Sequence, residues 1–435
     1  MAALVVAGST APATAVEAGP STPRPESTPP DDGARGAVSG RGGHLSLTAS
    51  DPRTIPQRLA AAGADPALGT RVSAVVIDAV TGAVVYTRNA SVTLMPASNE
   101  KLTTGFVALS SMAASATVRT QVKTYRPPIS TGPPAYSVWI VGAGDPGLTV
   151  TRLREMALTA RDALSRAGVT SVAVRVDDKL FPAPTPATGW KASYIPGDVA
   201  PVRALVAGGR NVLDTGLDAG VIFANELTRL GMSVSSTARG KVPPGATTVD
   251  SATSPSAGTL VAQLLNTSNN DYAENLHRRA AISASKGATW AAANGHALAV
   301  LKAQGVNTSG VAIHDGSGLS RSNRISAASM ASLLLRVRRT PAIHQAFYAP
   351  NGMPTAGVSG TLKTRFATTA TLCARGKVRA KTGWLSDVVA LSGTAYGVDG
   401  RERIFSIIEN GAASPTEARQ AIERFATAAT GCNPG

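Results

Sequence analysis

The rhythm of apolar and polar positions changes several times along this chain and divides it into stretches of different kinds. Residues 71–78 and 83–87 are rich in β-branched side chains and flank Thr81-Gly82, which predicts a hairpin. A run of apolar and small residues over 102–114 predicts a buried helix, entered near Pro96. The pattern then shifts. Strands are predicted over 118–125 and 136–141, around a Pro/Gly-rich loop, followed by an amphipathic helix over 151–167 and a strand over 171–177. Helical periodicity dominates 217–230, 258–266, 272–284, 288–303 and 327–338, with Gly231 ending the first and Ser326 starting the last. Residues 378–381, 388–395 and 403–408 alternate like antiparallel strands, with a turn at Val398-Asp399-Gly400, and 415–429 predicts a closing helix. A short helix over 56–62 precedes the first strand.

The first 50 residues show no such period. Residues 19–43 are Pro-, Gly- and Ser-rich and cannot build a core, so they read as a linker. Before them, residues 1–8 are apolar and small residues follow at 11–15. This resembles the end of an export segment without its basic start.

Length changes the picture next, because 435 residues call for two or three domains. Hydrophobic residues make up 43% of the chain, enough for real cores, and a mean hydropathy of +0.05 argues against a polytopic membrane protein. The formal charge is +15. Such charge suits nucleic acid, but the basic residues are scattered, aromatics are only 4%, and no nucleic-acid-binding motif appears. A cationic exported protein working beside anionic wall polymers fits better, with no nucleic-acid partner. The two cysteines, Cys373 and Cys432, match no metal motif, so no metal site is expected. Either one disulfide or two free thiols is compatible with their positions.

The candidate chemistry lies in Pro96-Ala-Ser98-Asn-Glu-Lys101. A serine and a lysine one helical turn apart project from the same face. Serine needs an adjacent base, and a lysine serves if burial and nearby positive charge lower its pKa. The chain carries its own control, because Ser283 and Lys286 have the same spacing. Order separates them. Ser268-Asn269-Asn270 is the only Ser-x-Asn and Lys381-Thr382-Gly383 the only Lys-[Ser/Thr]-Gly. Ser-x-x-Lys, Ser-x-Asn and Lys-Thr-Gly in succession are the signature of penicillin-recognising serine enzymes, and only Ser98 stands in sequence with the other two. Gly142 and Gly144 lack the rest of a dinucleotide fingerprint, so no cofactor is expected. His277 and His314 stand in no Ser-His-Asp pattern and read as structural. Glu100 reads as a charge on the helix surface.

These motifs, with Gly142-Ala-Gly-Asp-Pro-Gly-Leu148, Asp315-Gly-Ser-Gly-Leu-Ser-Arg321 and Gly360-Thr-Leu-Lys363, resemble the penicillin-binding D-alanyl-D-alanine carboxypeptidases of the type 4 low-molecular-mass class, peptidase family S13. The resemblance covers about residues 51–430. One departure is Asn269, where family members commonly carry Asp. The fold it implies is α/β: a penicillin-binding domain with an antiparallel sheet between helical layers, split by a smaller α/β insertion. The expected division is an export remnant and linker (1–50), a first catalytic part (51–115), an inserted domain (116–210) and a second catalytic part (211–435).

The resemblance also implies roles. Ser98 is the acylated nucleophile, Lys101 the general base, Ser268 a proton relay to the departing amine, and Asn270 a holder of the substrate amide. Lys381 and Thr382 receive the substrate's terminal carboxylate, and Gly383 lets its backbone lie against the strand. The N–H groups of Ser98 and Trp384 form an oxyanion hole. The implied substrate is the D-Ala-D-Ala end of a peptidoglycan stem peptide, with β-lactams as covalent inhibitors. Two other readings fit the same residues: a β-lactamase, which the chain length disfavours, and a non-catalytic wall-binding protein, which the full set of reactive side chains disfavours.

Overall fold

The computed structural model describes residues 54–125 and 136–433. The expected export remnant and linker (1–50) and the Pro/Gly-rich loop after residue 125 lie outside the described residues. Helix α1 (Ile55–Gly63) opens with a capping box between Thr54 and Gln57. The predicted hairpin follows as β1 (Val72–Asp78) and β2 (Val84–Arg88). Asp78 shapes its turn by accepting from the N–H groups of Val80 and Thr81. A two-residue strand, β3 (Thr93–Leu94), leads to a 3-10 turn at Ala97–Asn99 and then α2 (Glu100–Ser111).

The chain then builds a second sheet. Its elements are β4 (Arg119–Tyr125), β5 (Tyr136–Val141), α3 (Val150–Arg166), β6 (Ser171–Asp177), α4 (Thr215–Arg229), β7 (Ser233–Arg239) and β8 (Thr247–Thr253). The strand order is β7-β6-β5-β4-β8, with β5, β6 and β7 parallel and β4 antiparallel to both neighbours. Parallel neighbours need a crossover, and α3 and α4 supply it. Their apolar faces (Leu153, Met156 and Leu164; Phe223 and Leu227) close over Val138, Ile140, Val174 and Val176.

From Ala257 the chain is mostly helical: α5 (Ala257–Thr267), α6 (Asn270–Ser283) and α7 (Trp290–Ala303). The short β9 (Ile325–Ser326) pairs with β3 before α8 (Ala327–Arg339) and α9 (Pro341–Phe347). Each of α5 to α8 starts at a side-chain cap, from Ser256, Asn269, Thr289 and Ser326 in turn. The chain closes with β10 (Val378–Leu385), β11 (Val388–Tyr396), β12 (Glu402–Asn410) and α10 (Pro415–Thr430).

The first sheet has the order β10-β11-β12-β1-β2, antiparallel throughout. Its central strands are buried on both faces. One face meets α1 and α10 through Leu59, Ile422 and Phe425. On the other face α8 lies against the sheet, and α2, α5 and α6 complete the same core, through Phe106, Val261, Leu276 and Leu334. This is the expected antiparallel sheet between helical layers. Cys373 and Cys432 are bonded, with Cα atoms 6.0 Å apart, which ties the C-terminal helix to the segment before β10.

Two differences from the sequence reading have physical causes. The expected end of the insertion at residue 210 falls inside the second sheet's elements, since α4, β7 and β8 share its core or its ladder. Strands β7 and β8 are mostly exposed Ser/Thr-rich edges, and an edge strand needs no apolar face to be held by its neighbour. Glu100 does not sit on the surface. It is 1% exposed, because α2 runs through the middle of the helical layer and shows almost no face to solvent.

Candidate active site

Three segments far apart in sequence converge beside the β10 edge of the first sheet. The first is the turn carrying Ser98. The sequence suggests a helical nucleophile, but Ser98 sits in the 3-10 turn just before α2, with Ala97 at φ +47°. A non-glycine residue there is strained, and surrounding structure must hold it. Two glycines do so by letting backbone approach. A Cβ on Gly383 would lie 2.7 Å from the Pro96 carbonyl, and Gly318, at φ +84°, has its backbone packed directly on the Ala97 carbonyl. Asn99 is anchored to the sheet by donating to Ser392 Oγ at 2.9 Å.

One turn on, Lys101 is fully buried. Its Nζ lies 2.9 Å from Ser98 Oγ, 2.7 Å from Asn270 Oδ1 and 2.7 Å from the Ser317 carbonyl. Two of these oxygens can only accept. A neutral amine has two N–H groups and one lone pair, so donation to Asn270 and Ser317 leaves the lone pair facing the Ser98 hydroxyl. The site therefore defines an orientation for a base. Burial pushes Lys101 down to about 8, against the opposing pull of Asp315, Glu274 and Glu100.

The second segment is the junction of α5 and α6. Ser268 ends α5 in the left-handed region (φ +61°), which turns its hydroxyl out of the helix. Asn269 caps α6 by accepting from the Tyr272 N–H, a role an Asp fills equally well. Asn270 is held at both ends: Oδ1 accepts from Lys101 and Nδ2 donates to the Asp198 carbonyl. The third segment is β10. Lys381 is fully buried and donates to Ser268 Oγ at 2.9 Å and to the Thr382 carbonyl. Burial, with Lys101 and Arg365 nearby, holds Lys381 well below the usual lysine range. The Thr382 hydroxyl donates to Thr361 Oγ1 at 2.9 Å, which places Gly360-Thr-Leu against the strand.

These side chains open into a cleft of about 470 Å³ lined by Ser98, Ser268, Asn270, Thr382 and Trp384. Its outer wall comes from residues 187–204, which lead from β6 towards α4. Tyr194 packs against Met95, Ala97, Leu319 and Leu385, and Lys191, Ser193 and Asp198 face the cleft. Trp190 donates to Asp315 at 2.7 Å and so fastens this wall to the Asp315–Arg321 loop. Trp384 is 46% exposed, with the Arg419 guanidinium 5.6 Å from its ring centre.

All eight expected site residues meet here. Sequence reasoning missed the Ser317 carbonyl, the buried carboxylates Glu274 and Glu100, and the 187–204 wall. A backbone acceptor leaves no residue signature, and the wall is recognisable only once Tyr194 is seen against Ala97. Neither histidine joins the site. His277 is buried, bonded through Nε2 to Asn294 at 2.8 Å, and burial holds it down at about 4. Ser283 points its hydroxyl at the carbonyls of Ser111 and Ala280, and Lys286 is exposed. No group of side chains suited to a metal ion occurs among the described residues.

Comparison with known proteins finds relatives over most of the chain. The family described as D-Ala-D-Ala carboxypeptidase 3 (S13) matches residues 55–210 and 194–429. The carboxypeptidase DacB of Mycolicibacterium smegmatis is 31% identical, over 97% of this chain and 92% of its own length. A D-alanyl-D-alanine carboxypeptidase of an Actinomadura species is 30% identical, over 81% of this chain and 80% of its own. Among solved structures, penicillin-binding protein 4 of Haemophilus influenzae superposes with a TM-score of 0.68 at 19% identity, covering 82% of this chain and 94% of that one.

Proposed function

The chain belongs to the D-Ala-D-Ala carboxypeptidase 3 (S13) family, and from that premise we propose how its cleft carries out the family's reaction. The protein is a serine D,D-carboxypeptidase that also binds β-lactams. Its substrate is the D-Ala-D-Ala end of a peptidoglycan stem peptide, cleaved through an acyl-enzyme on Ser98. The observation that carries this reading is the Lys101 amine, whose two other partners can only accept and whose lone pair is left for Ser98.

Ser98 Oγ attacks the carbonyl carbon of the penultimate D-alanine as its proton passes to Lys101 Nζ. Negative charge develops on the carbonyl oxygen, and the N–H groups of Ser98 and Trp384 receive it. An interaction of that kind contributes roughly 3–4 kcal/mol to lowering the barrier. Ser268 then relays a proton to the departing amine: it gives up its hydroxyl proton and is restored by the one that Lys101 took from Ser98. Ser268 lines the cleft with Ser98 and already accepts from Lys381, so its own hydroxyl proton is free to point at the substrate. The terminal carboxylate docks at Lys381 and Thr382, a charge-assisted contact. Once D-alanine has left, water hydrolyses the acyl-enzyme.

The second sheet, with α3 and α4, is read as an inserted module whose 187–204 segment supplies a wall of the substrate cleft. We place the protein outside the cytoplasm, against the anionic wall that its +15 charge suits. No described helix is long and apolar enough to cross a membrane. The test is incubation with a pentapeptide and with a cross-linked muropeptide, together with mass spectrometry of the penicillin-treated protein. Release of D-alanine and one stoichiometric adduct on Ser98 are expected, and cleavage of the cross-link measures any endopeptidase share. Sustained turnover of penicillin, or no adduct at all, overturns the reading.

A further inference from the structure

Lys101 is surrounded by more carboxyl groups than the reaction above uses. Glu274, on α6, is 0% exposed, and its two oxygens accept from adjacent peptide N–H groups: Gly316 to Oε2 at 2.9 Å and Ser317 to Oε1 at 2.8 Å. The carbonyl of that same Ser317 is one of the two acceptors that orient Lys101. The other carbonyl of the pair, Gly316, accepts from Thr104 on α2 at 2.6 Å. A single carboxylate thus grips the strand of backbone that aims the base. Gly316 has no room for a side chain there, since a Cβ would lie 2.7 Å from the Ala273 carbonyl.

We propose that Glu274 is a positioning residue for the general base: it clamps the Gly316–Ser317 peptide so that the Ser317 carbonyl fixes Lys101 Nζ with its lone pair towards Ser98, and it supplies a buried counter-charge beside that amine. The inference rests on Lys101 acting as the base and extends that reading to what controls it. Asp315 cannot take this role, because its oxygens are already occupied by Trp190, Ser317 Oγ, Ser320, Gly318 and Asn323. Glu100 differs in kind. Its Oε1 has no hydrogen-bond partner and almost no solvent access.

Charge follows from these contacts. The groups around Glu274 are Glu100 and Lys101 from α2, Asp315 from the loop, and Asp271, His277 and Arg278 from its own helix, with Lys381 beyond on β10. Burial and the nearby Asp315 push Glu274 up to about 8, while the two amide N–H groups hold it down. Burial, with Asp315 and Glu274 nearby, pushes Glu100 well above the usual carboxylate range. Glu274 and Lys101 then lose protons over one pH range, and the steps belong to the pair rather than to either group. An ionised Glu274 holds the last proton on Lys101 and delays the base.

The experiment is the second-order rate of Ser98 acylation by a penicillin as a function of pH, followed by mass spectrometry, on the full chain. Glu274→Gln replaces one acceptor oxygen with an N–H₂ that faces an amide N–H. The rate plateau should fall at least tenfold, and the acid limb should move to lower pH and narrow to a single-proton step. Glu274→Asp, which keeps the charge on a shorter arm, should lower the plateau but leave the limb close to the parent's. Glu100→Gln, which touches none of the contacts to the Gly316–Ser317 peptide, should leave the plateau close to the parent's. Thermal melts by circular dichroism check that each variant is folded. A Glu274→Gln plateau lost with its limb unmoved means a merely structural role and overturns the inference, as does an unchanged profile. Should Glu274→Gln fail to fold, a Glu100→Gln plateau that falls tenfold, or a Glu274→Asp plateau equal to the parent's, overturns it equally. A parent protein that is never acylated would instead remove the serine-enzyme reading itself.

Discussion

Ser98-Asn-Glu-Lys101 and Ser283-Ala-Ser-Lys286 offer the same two residue types at the same spacing, yet they differ in every property that makes a nucleophile. Ser98 precedes a helix, Ser283 ends one. Lys101 is fully buried with three oxygens around its amine, whereas Lys286 is exposed. The Ser283 hydroxyl is spent on backbone carbonyls, the usual fate of a helical serine. Spacing supplies only adjacency. What turns adjacency into chemistry is the arrival of Ser268, Asn270, Ser317 and Lys381 from other segments, and none of these reaches the second pair.

The most severe way to break the comparison is to remove each serine in turn. Ser98→Ala should abolish D-alanine release and penicillin labelling while the thermal melt stays cooperative. Ser283→Ala should leave both activities within about twofold, costing at most about 1 kcal/mol through the lost hydroxyl contacts. Labelling followed by intact-mass measurement reads both. The lysines come next. Lys101→Met should slow acylation by roughly 10²–10⁴-fold, the usual worth of a positioned general base. Lys286→Met should change nothing measurable in the same assay.

The motifs were legible in the sequence because each places its chemistry within four residues. Long periodic elements were legible too: α3, α4 and α10 have one apolar face each and appear close to their expected bounds. What stayed hidden was whatever depends on distant partners. Strands β7 and β8 are polar edges, and the pairing that makes them strands is supplied by β6 and β4. Glu100 looked like a surface charge because no local feature says that α2 is enclosed on all sides. The cysteines left two states open, and only the 6.0 Å Cα separation brings them together. The Ser98 turn was read as helix because its strain at Ala97 is imposed by Gly318 and Gly383, both more than 200 residues away.

That strain gives a third, gentler way to separate the two serines. At Gly318 the backbone lies directly on the Ala97 carbonyl, leaving no room for a methyl. Gly318→Ala must therefore push the nucleophile turn off β10. A displacement on the order of 1 Å costs about 10²-fold in rate. Gly287, beside Lys286, also has a positive φ, but a Cβ there would meet nothing closer than 3.9 Å. Gly287→Ala should cost roughly 1–2 kcal/mol in backbone strain and leave acylation untouched. Rates and melting temperatures of the two variants should therefore move independently.

The mildest probe leaves the sequence intact and changes only the proton. Lys101 works as a neutral amine, and burial brings it down to about 8 from the usual 10.5. Below that value the neutral fraction falls about tenfold per pH unit, since each unit is one decade in the protonation equilibrium. Acylation of Ser98 should therefore rise with pH through the range around 8 and flatten above it. The opposite sign, with a rate that falls as pH rises through the same range, would require the ammonium form in the attack step. That would hand the base role to Ser268 or to water. Ser283 is a built-in reference in such a series: labelling confined to Ser98 at every pH means that the rising limb reports the enclosed amine and not a general gain in serine reactivity.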